Sequence, residues 1–355
     1  MALSSPCIAK PSYSLYCGID IAAKTFTAKV CKGDEEPSKA LNFKQTAEDF
    51  AQLKKFLLAP ELPPDQILVV MEATGTYWTL LASYLDHNGF GVSVINPAAL
   101  HDFAKSLLLK SKNDQLDAQT LARLGRSHKP TRWTPPPAIY RELSQRLSQR
   151  ADLMEMRQQL KNQLHALSVC EAVPSVVARL ELLIETLSQQ LKELDKEIKK
   201  VVMEEPLWAA SVELLETITG IGWLSACWLV TLTLNFTKCE KAESLVHYAG
   251  LAPTPRKSGT SVRNRPMIGH GGHGPLRAVL YMAASSAIRF NPVIKAYYLH
   301  LRENKGKAYK VARCAAARKL IHLAFAVVTS KQVFDPDYLV HLKAKKLAEG
   351  LAVAV

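Results

Sequence analysis

Asp20, Glu72, Asp114 and Asp117 are the residues of this chain whose type and spacing are best suited to chemistry. Asp20 closes the apolar run Leu15-Tyr16-Cys17-Gly18-Ile19, and Glu72 closes Ile67-Leu68-Val69-Val70-Met71. Carboxylates at the ends of buried strands are costly unless a cation compensates them, and hydrated Mg²⁺ suits such all-oxygen sets. Asp114 and Asp117 stand i, i+3 on a predicted helix and so point the same way. Their stripe continues through Leu121 and Leu124, which places both acids on the inward face. The four together predict a metal site. Several negative ligands suit two Mg²⁺ ions held roughly 4 Å apart, one activating an attacking oxygen and one stabilising a leaving oxygen. Taken singly, each acid has a plainer explanation: Asp114 and Asp117 as favourable charges in a first helical turn, Asp20 as a turn cap. The joint pattern carries the chemistry.

The elements around these acids alternate between strand and helix signals over residues 14–128. Leu15–Ile21, Phe26–Cys31 and Ala40–Phe43 read as three consecutive strands, the first two joined by a turn at Ala22-Ala23-Lys24-Thr25. Thr46 with Asp49 three residues on predicts a capping box that starts a helix running to about Leu58. A buried strand at Ile67–Met71, a helix at Tyr77–His87, a strand at Val92–Ile95 and a short helix after Pro97 follow. The helix bearing Asp114 and Asp117 comes last. This order predicts an α/β domain with an RNase H-like (RuvC-like) layer fold, Asp20 on its first strand and Glu72 at the end of its fourth.

Residues 1–13 read as an N-terminal tail. A proline-rich stretch from Lys129-Pro130 to Pro135-Pro136-Pro137 marks a boundary, because successive prolines cannot continue a helix. It opens a region, 129–205, whose apolar positions Leu180, Leu183, Leu187, Leu191, Leu194, Ile198 and Val201 recur at coiled-coil spacing. Pairing within one chain and dimerisation are equally open there. Residues 206–330 read as a mostly helical C-terminal domain, and 331–355 as a tail. Gly220-Ile221-Gly222 matches the turn of a helix-hairpin-helix element, where glycines let backbone N–H groups approach a phosphate; a tight helix–helix turn explains it equally well. The glycine-rich segment 269–274 has no cysteine or acid at zinc-ligand spacing.

Net charge is +13 for 355 residues, and its location matters more than its size. Between Arg256 and Lys319 stand fourteen Lys/Arg and one acid, Glu303, so this segment alone equals the whole chain's excess. Such a block attracts phosphate backbones through counterion release, whereas a solubilising surface interleaves acids. Seven cysteines without C-x-x-C pairing fit a reducing cytoplasm. The longest apolar stretch, from Ile221 to Leu234, is too short to span a bilayer, and no secretory signal is present, so the expected location is cytoplasmic.

Gly18-Ile19-Asp20, Met71-Glu72-Ala73-Thr74-Gly75 and Lys112-Asn113-Asp114-Gln115-Leu116-Asp117-Ala118 resemble the motifs of the DEDD transposases of the insertion-sequence-110 and -1111 group. Tyr248-Ala249-Gly250-Leu251-Ala252-Pro253, with Lys257-Ser258-Gly259, resembles the same family's C-terminal transposase domain. The resemblance spans about residues 14 to 330. One departure is Asn113, where Thr or Ser is frequent. The resemblance implies a recombinase that excises and inserts a mobile DNA element, or inverts a DNA segment, guided by an element-encoded RNA that pairs with donor and target DNA. It implies magnesium at the four acids and assigns Ser258 as the nucleophile that forms a phosphoserine link to DNA, with Thr260 and Ser261 as fallback hydroxyls.

A serine hydroxyl needs an outside base or metal to become an effective nucleophile, and the neighbours of Ser258 supply neither. Arg256, Lys257, Arg263 and Arg265 are then expected to hold the scissile phosphate and its flanks, with Arg277, Gly220 and Gly222 as further nucleic-acid contacts. On this expectation the acids are half of an active site, completed in cis or by another subunit's C-terminal domain. A homodimer through the coiled coil, or a tetramer, is the implied assembly. Two other functions stay open: a RuvC-like nuclease that uses water, and an inactive nucleic-acid-binding remnant.

Overall fold

The computed structural model of the chain describes residues 13–32, 38–108, 113–258, 262–268 and 271–338, with the backbone alone described over 254–258 and 262–266. Two compact units divide it, residues 1–135 and 136–355.

The first unit is built on a five-stranded sheet. Its strands are β1 (Leu15–Ile21), β2 (Thr25–Lys32), β3 (Leu41–Lys44), β4 (Ile67–Glu72) and β5 (Gly91–Ile95), in the spatial order β3-β2-β1-β4-β5. β1, β2 and β3 form an antiparallel meander, while β4 and β5 run parallel to β1. The helices α1 (Ala47–Leu58), α2 (Trp78–His87), α3 (Pro97–Ser106) and α4 (Asp114–His128) cover its faces. The period-2 alternation of strand side chains sorts the core into two layers. Leu15, Cys17, Ile19, Ile67, Val69 and Met71 join Leu53 and Leu57 of α1 and Leu81 and Leu85 of α2 on one face. Tyr16, Leu68 and Val70 join Leu121 and Leu124 of α4 and Leu100 of α3 on the other. The strand and helix order agrees with the RNase H-like α/β expectation.

Local signals explain several boundaries. Thr46 caps α1 by accepting from the Asp49 N–H at 3.3 Å. The reciprocal half of the capping box is absent, because Asp49 accepts instead from the Lys44 N–H and thereby ties α1 to the end of β3. Lys129 ends α4 in the left-handed region at φ 41. The proline-rich stretch then docks rather than drifting free. The Trp133 N–H donates to the Val92 carbonyl at 2.7 Å, and its ring meets Trp78 edge-on at 5.6 Å.

The second unit is almost wholly helical. It starts with a hairpin of two 30-residue helices, α5 (Ala138–Leu167) and α6 (Pro174–Met203). The stretch with coiled-coil spacing forms α6, which pairs with α5 of the same chain. Burial is complete only toward the base, at Ile139, Leu143 and Leu147 against Leu194, Ile198 and Val202, while Leu183 near the tip stays 50% exposed. Ile139, Leu143, Leu147, Ile198 and Val202 belong to one core with α7 (Pro206–Glu216), α8 (Trp223–Leu232), α9 (Ala242–Tyr248), α10 (Gly274–Phe290), α11 (Pro292–Leu299) and α12 (Tyr309–Ser330).

One feature differs from the expectation for this region. A two-stranded antiparallel ribbon, β6 (Thr254–Ser258) and β7 (Val262–Met267), interrupts the helices. Its sequence is mostly basic and polar, so no apolar alternation announces it. The α7–α8 turn is the tight helix–helix connection anticipated at Gly220-Ile221-Gly222, and its first glycine approaches α10 closely. Gly220 has φ 111, and a Cβ there would lie 2.5 Å from the Ala287 Cβ of α10. Asn291 locks the same turn, donating to the Thr219 carbonyl at 3.0 Å while its Oδ1 caps α11. Gly222, at the N-cap of α8, has open space around it.

Candidate functional site

The first unit places its acids by three constraints. β1 pairs in parallel with β4 up to Ile19 opposite Met71, so Asp20 and Glu72 are the next residues at the carboxyl ends of adjacent strands. Both continue the rows Tyr16-Gly18-Asp20 and Leu68-Val70-Glu72, which face α4. Open α/β sheets gather ligands at this edge. The third constraint is α4 itself. A Cβ on Gly18 would meet the Ala118 carbonyl at 1.9 Å and the Ala122 N at 2.4 Å, so the helix backbone lies directly on β1. Gly125, two turns later, lies against Val70 and Tyr16. The helix therefore runs antiparallel to β1 and brings its first turn, with Asp114 and Asp117, over the Asp20 end. Asn113 starts this turn, its Oδ1 accepting from the Leu116 N–H at 2.8 Å. An Asn is a strong N-cap, so the departure from Thr or Ser keeps the helix start intact.

Electrostatics records the convergence. The Asp20 carboxyl is pushed from the usual 3.8 up to about 6, first by desolvation and then by the charges of Asp114, Asp117 and Glu72; the Ile21 backbone N–H opposes this. Three negative neighbours disfavour a fourth negative charge. The acids converge without closing: among the described residues, no three Asp, Glu, His or Cys form a ready-made metal-binding group. Asp114 stays exposed at the helix start, and mutual repulsion opposes tighter approach. The donor chemistry nevertheless fits a hard divalent ion. All four are oxygen ligands, and a cation among them would offset the repulsion that Asp114, Asp117 and Glu72 add at Asp20.

Three supporting side chains escaped the sequence analysis. Thr74 donates to Glu72 Oε1 at 3.0 Å. Lys29 stands opposite Gly18 on β2, and its Nζ donates to Gln119 Oε1 of α4 at 3.1 Å. Thr27, opposite Asp20, is buried and donates to Asn42 Oδ1 at 2.9 Å. Period-2 counting from Asp20 through the turn would have found the two β2 residues.

In the second unit, Ser258 is the last residue of β6, directly opposite Val262. Thr260 and Ser261 lie outside the described residues, and the side chains of Arg256, Lys257, Arg263 and Arg265 fall on the segment described by backbone alone. The base of this ribbon is described fully. Gly250, before β6, and Gly272, after β7, cross so closely that a Cβ on Gly272 would lie 2.5 Å from the Gly250 Cα. The His273 N–H donates to the Tyr248 carbonyl at 2.7 Å, and the two rings stack at 5.2 Å. His273 Nδ1 accepts from the Leu276 N–H and so caps α10. Arg277 Nη1 donates to the Gly271 carbonyl at 2.9 Å. Lys238 completes the cluster, its Nζ donating to the Tyr248 hydroxyl at 2.9 Å. Burial lowers the His273 and Lys238 pKa values and pushes Tyr248 up to about 12. Arg277 thus spends part of its guanidinium on the ribbon's base. No helix among the described residues is long and apolar enough to cross a membrane.

Comparison with known proteins follows this division. Residues 17–168 match a family of the DEDD, IS110 type described as a transposase, and residues 212–299 match the family described as "Transposase IS116/IS110/IS902 family". The "Pilin gene-inverting protein" of Moraxella bovis is 31% identical over 322 residues, covering 90% of this chain and 97% of the relative. Its namesake in Moraxella lacunata is 30% identical over the same coverage. The "Insertion element IS110 uncharacterized 43.6 kDa protein" of Streptomyces coelicolor is 27% identical over 169 residues, 46% of this chain and 38% of the relative.

Proposed function

We propose a DNA strand-exchange function for this chain, which belongs to the IS116/IS110/IS902 family of transposases. Within that family assignment, the observation that supports the mechanism is the convergence of four acids at one sheet edge, where burial and then the charges of Asp114, Asp117 and Glu72 raise Asp20 to about 6. Asp20, Glu72, Asp114 and Asp117 would hold Mg²⁺, and two ions match the charge they present. When bound, such ions supply activation of an attacking oxygen and stabilisation of a leaving one.

The residues of the chain do the rest. Ser258 Oγ forms a bond to phosphorus as one backbone P–O ester breaks; the serine proton leaves to solvent, and the departing sugar oxygen takes one up. Ester replaces ester, so the reverse step rejoins a strand without an added energy source. Arg256, Lys257, Arg263 and Arg265, on the ribbon with Ser258, are placed in sequence to neutralise the phosphate in flight. Gly220, Gly222 and Arg277 add contacts to flanking backbone, and an element-encoded RNA selects the partners by base pairing. Leu182 and Leu183, exposed on the α5–α6 hairpin, support association of two copies, which exchange between two duplexes requires.

A specific observation favours inversion as the reaction. The gene-inverting relatives align over nearly their whole length, while the insertion-element protein aligns over a minority of its own. The decisive experiment traps covalent protein–DNA adducts on a substrate carrying the DNA that flanks this gene, in Mg²⁺. Wild-type protein should form an adduct and Ser258→Ala should not. If Ser258→Ala still nicks DNA as well as wild type, the enzyme uses water and the strand-exchange mechanism fails. Sequencing the nucleic acid that co-purifies tests the guide.

A further inference from the structure

The second unit holds cations that no carboxylate neutralises. Ion pairs among the described residues join Arg132 to Asp86, Arg146 to Glu142 and Glu197, Arg150 to Asp195, and Lys200 to Glu204. None involves a lysine or arginine from Arg277 to Lys319. Within that stretch one arginine is held unusually well. The Arg313 guanidinium of α12 lies 3.9 Å over the Tyr281 ring of α10. Its Nε donates to the Tyr281 carbonyl and its Nη1 to the Tyr309 hydroxyl, each at 3.3 Å. Two of its five N–H groups are used, and three have no partner among the described residues.

Cys314, next along α12, is partly buried. Burial raises its thiol pKa, and the charges of Arg277 and Arg313 oppose the rise. α10, which bears Arg277, packs against α12, which bears Arg313, and Lys310 stands exposed one turn before Arg313. Arg277 also grips the base of the β6–β7 ribbon through Gly271, so α10 adjoins the segment that carries Ser258.

We propose that Arg313, preset by Tyr281 and Tyr309, forms with Arg277 and Lys310 a phosphate-gripping patch on the α10–α12 surface that holds a nucleic-acid backbone. The inference rests on the strand-exchange reading and extends it to residues that the motifs do not touch. A stacked, hydrogen-bonded guanidinium has already lost much of its rotamer freedom, so it loses little more on meeting a phosphate. Its tyrosine neighbours compensate no charge and leave the fork of donors to the ligand. A helix staple alone would not need an unneutralised cation. The shared chemistry is the phosphodiester backbone, supplied by duplex DNA or by a guide RNA.

The test measures binding of the full-length protein to labelled mixed-sequence duplex DNA and, separately, to single-stranded RNA, by fluorescence anisotropy across a salt series. Arg313→Gln should weaken binding roughly tenfold near 0.1 M salt and reduce the slope of log affinity against log salt by about one. Arg313→Lys should keep the slope while losing part of the affinity, having the charge without the fork. The arm that responds identifies the backbone. Unchanged affinity and slope in both arms, with a lowered melting temperature, would reduce Arg313 to a helix staple and overturn the proposal. Should Arg313→Gln fail to melt cooperatively, alkylation of Cys314 in the wild-type protein decides instead. Saturating nucleic acid should slow it at least about fivefold, and no protection overturns the patch. Binding needs neither metal nor Ser258. An active Ser258→Ala enzyme would therefore sink the mechanism above and leave this result standing.

Discussion

The carboxylate edge of the first unit and the basic segment of the second carry opposite charges. At the edge, burial first and then three neighbouring acids push Asp20 up to about 6, and Thr74 donates to Glu72. In the segment, arginines and lysines from 277 to 319 make no ion pair among the described residues. The α5–α6 hairpin shows the opposite habit, pairing Arg146 with Glu142 and Glu197 and Arg150 with Asp195. On the proposed function the two signs suit different ligands, a cation for the first region and a polyanion for the second.

The largest effect that would break the comparison is at Asp20. Asp20→Asn should lower strand cleavage by about a thousandfold or more, the scale of losing a major transition-state electrostatic contact. In metal-free buffer the same change should raise the melting temperature at neutral pH. The Asp20 pKa is raised in the folded state, so its ionisation costs stability. That cost is absent below about 4, grows as pH climbs to about 6, and is complete above it. The thermal gain of Asp20→Asn should therefore vanish at acid pH. Added Mg²⁺ should stabilise the wild type more than the variant. A variant that melts with or below the wild type at every pH would remove the uncompensated edge from the comparison.

Gly18→Ala comes next. The new methyl has nowhere to go except into the backbone of α4, so a loss of about 3 kcal/mol is expected by chemical denaturation, at the upper end for overpacking. Because the methyl moves α4 away from β1, the Asp20 shift should shrink with it. His273→Ala probes the basic side. Losing the cap of α10 should cost about 1 kcal/mol, and His273→Asn, which can cap, should recover most of it. Faster amide exchange across 254–267 in His273→Ala, with the α5–α6 hairpin unchanged, would show that the cap holds the ribbon. The smallest effect is expected for Thr74→Val, about 1 kcal/mol or less in stability, with weaker Mg²⁺ binding as its readout, because it removes one hydrogen bond to Glu72.

Much of the first unit was legible because its strands end apolar runs with acids and its helices begin with caps that act locally. Thr46 and Asn113 work within three residues of themselves. Asp49 shows the limit: its preferred donor, Lys44, belongs to a strand that only folding brings near. The β6–β7 ribbon was hidden because a basic ribbon has no apolar period to display. At Gly220 the sequence left phosphate approach and a tight helix–helix turn equally open, and its φ of 111 and close approach to Ala287 became visible only with α10 folded beside it. Lys29 and Thr27 were missed because their relevance comes from the β1–β2 register, which has to be counted through the turn from Asp20.

Sequence alone determined the identity of the four acids, their placement on one RNase H-like layer fold, the basic segment and the family resemblance. Each of these follows from residue type at short range or from net charge. Tertiary structure alone decided that Gly18 lets α4 lie on β1, that this contact brings Asp114 and Asp117 over Asp20, and that Arg313 is held by Tyr281 and Tyr309. Those outcomes depend on which backbones approach within a few ångströms, and close approach between segments distant along the chain exists only once both are folded.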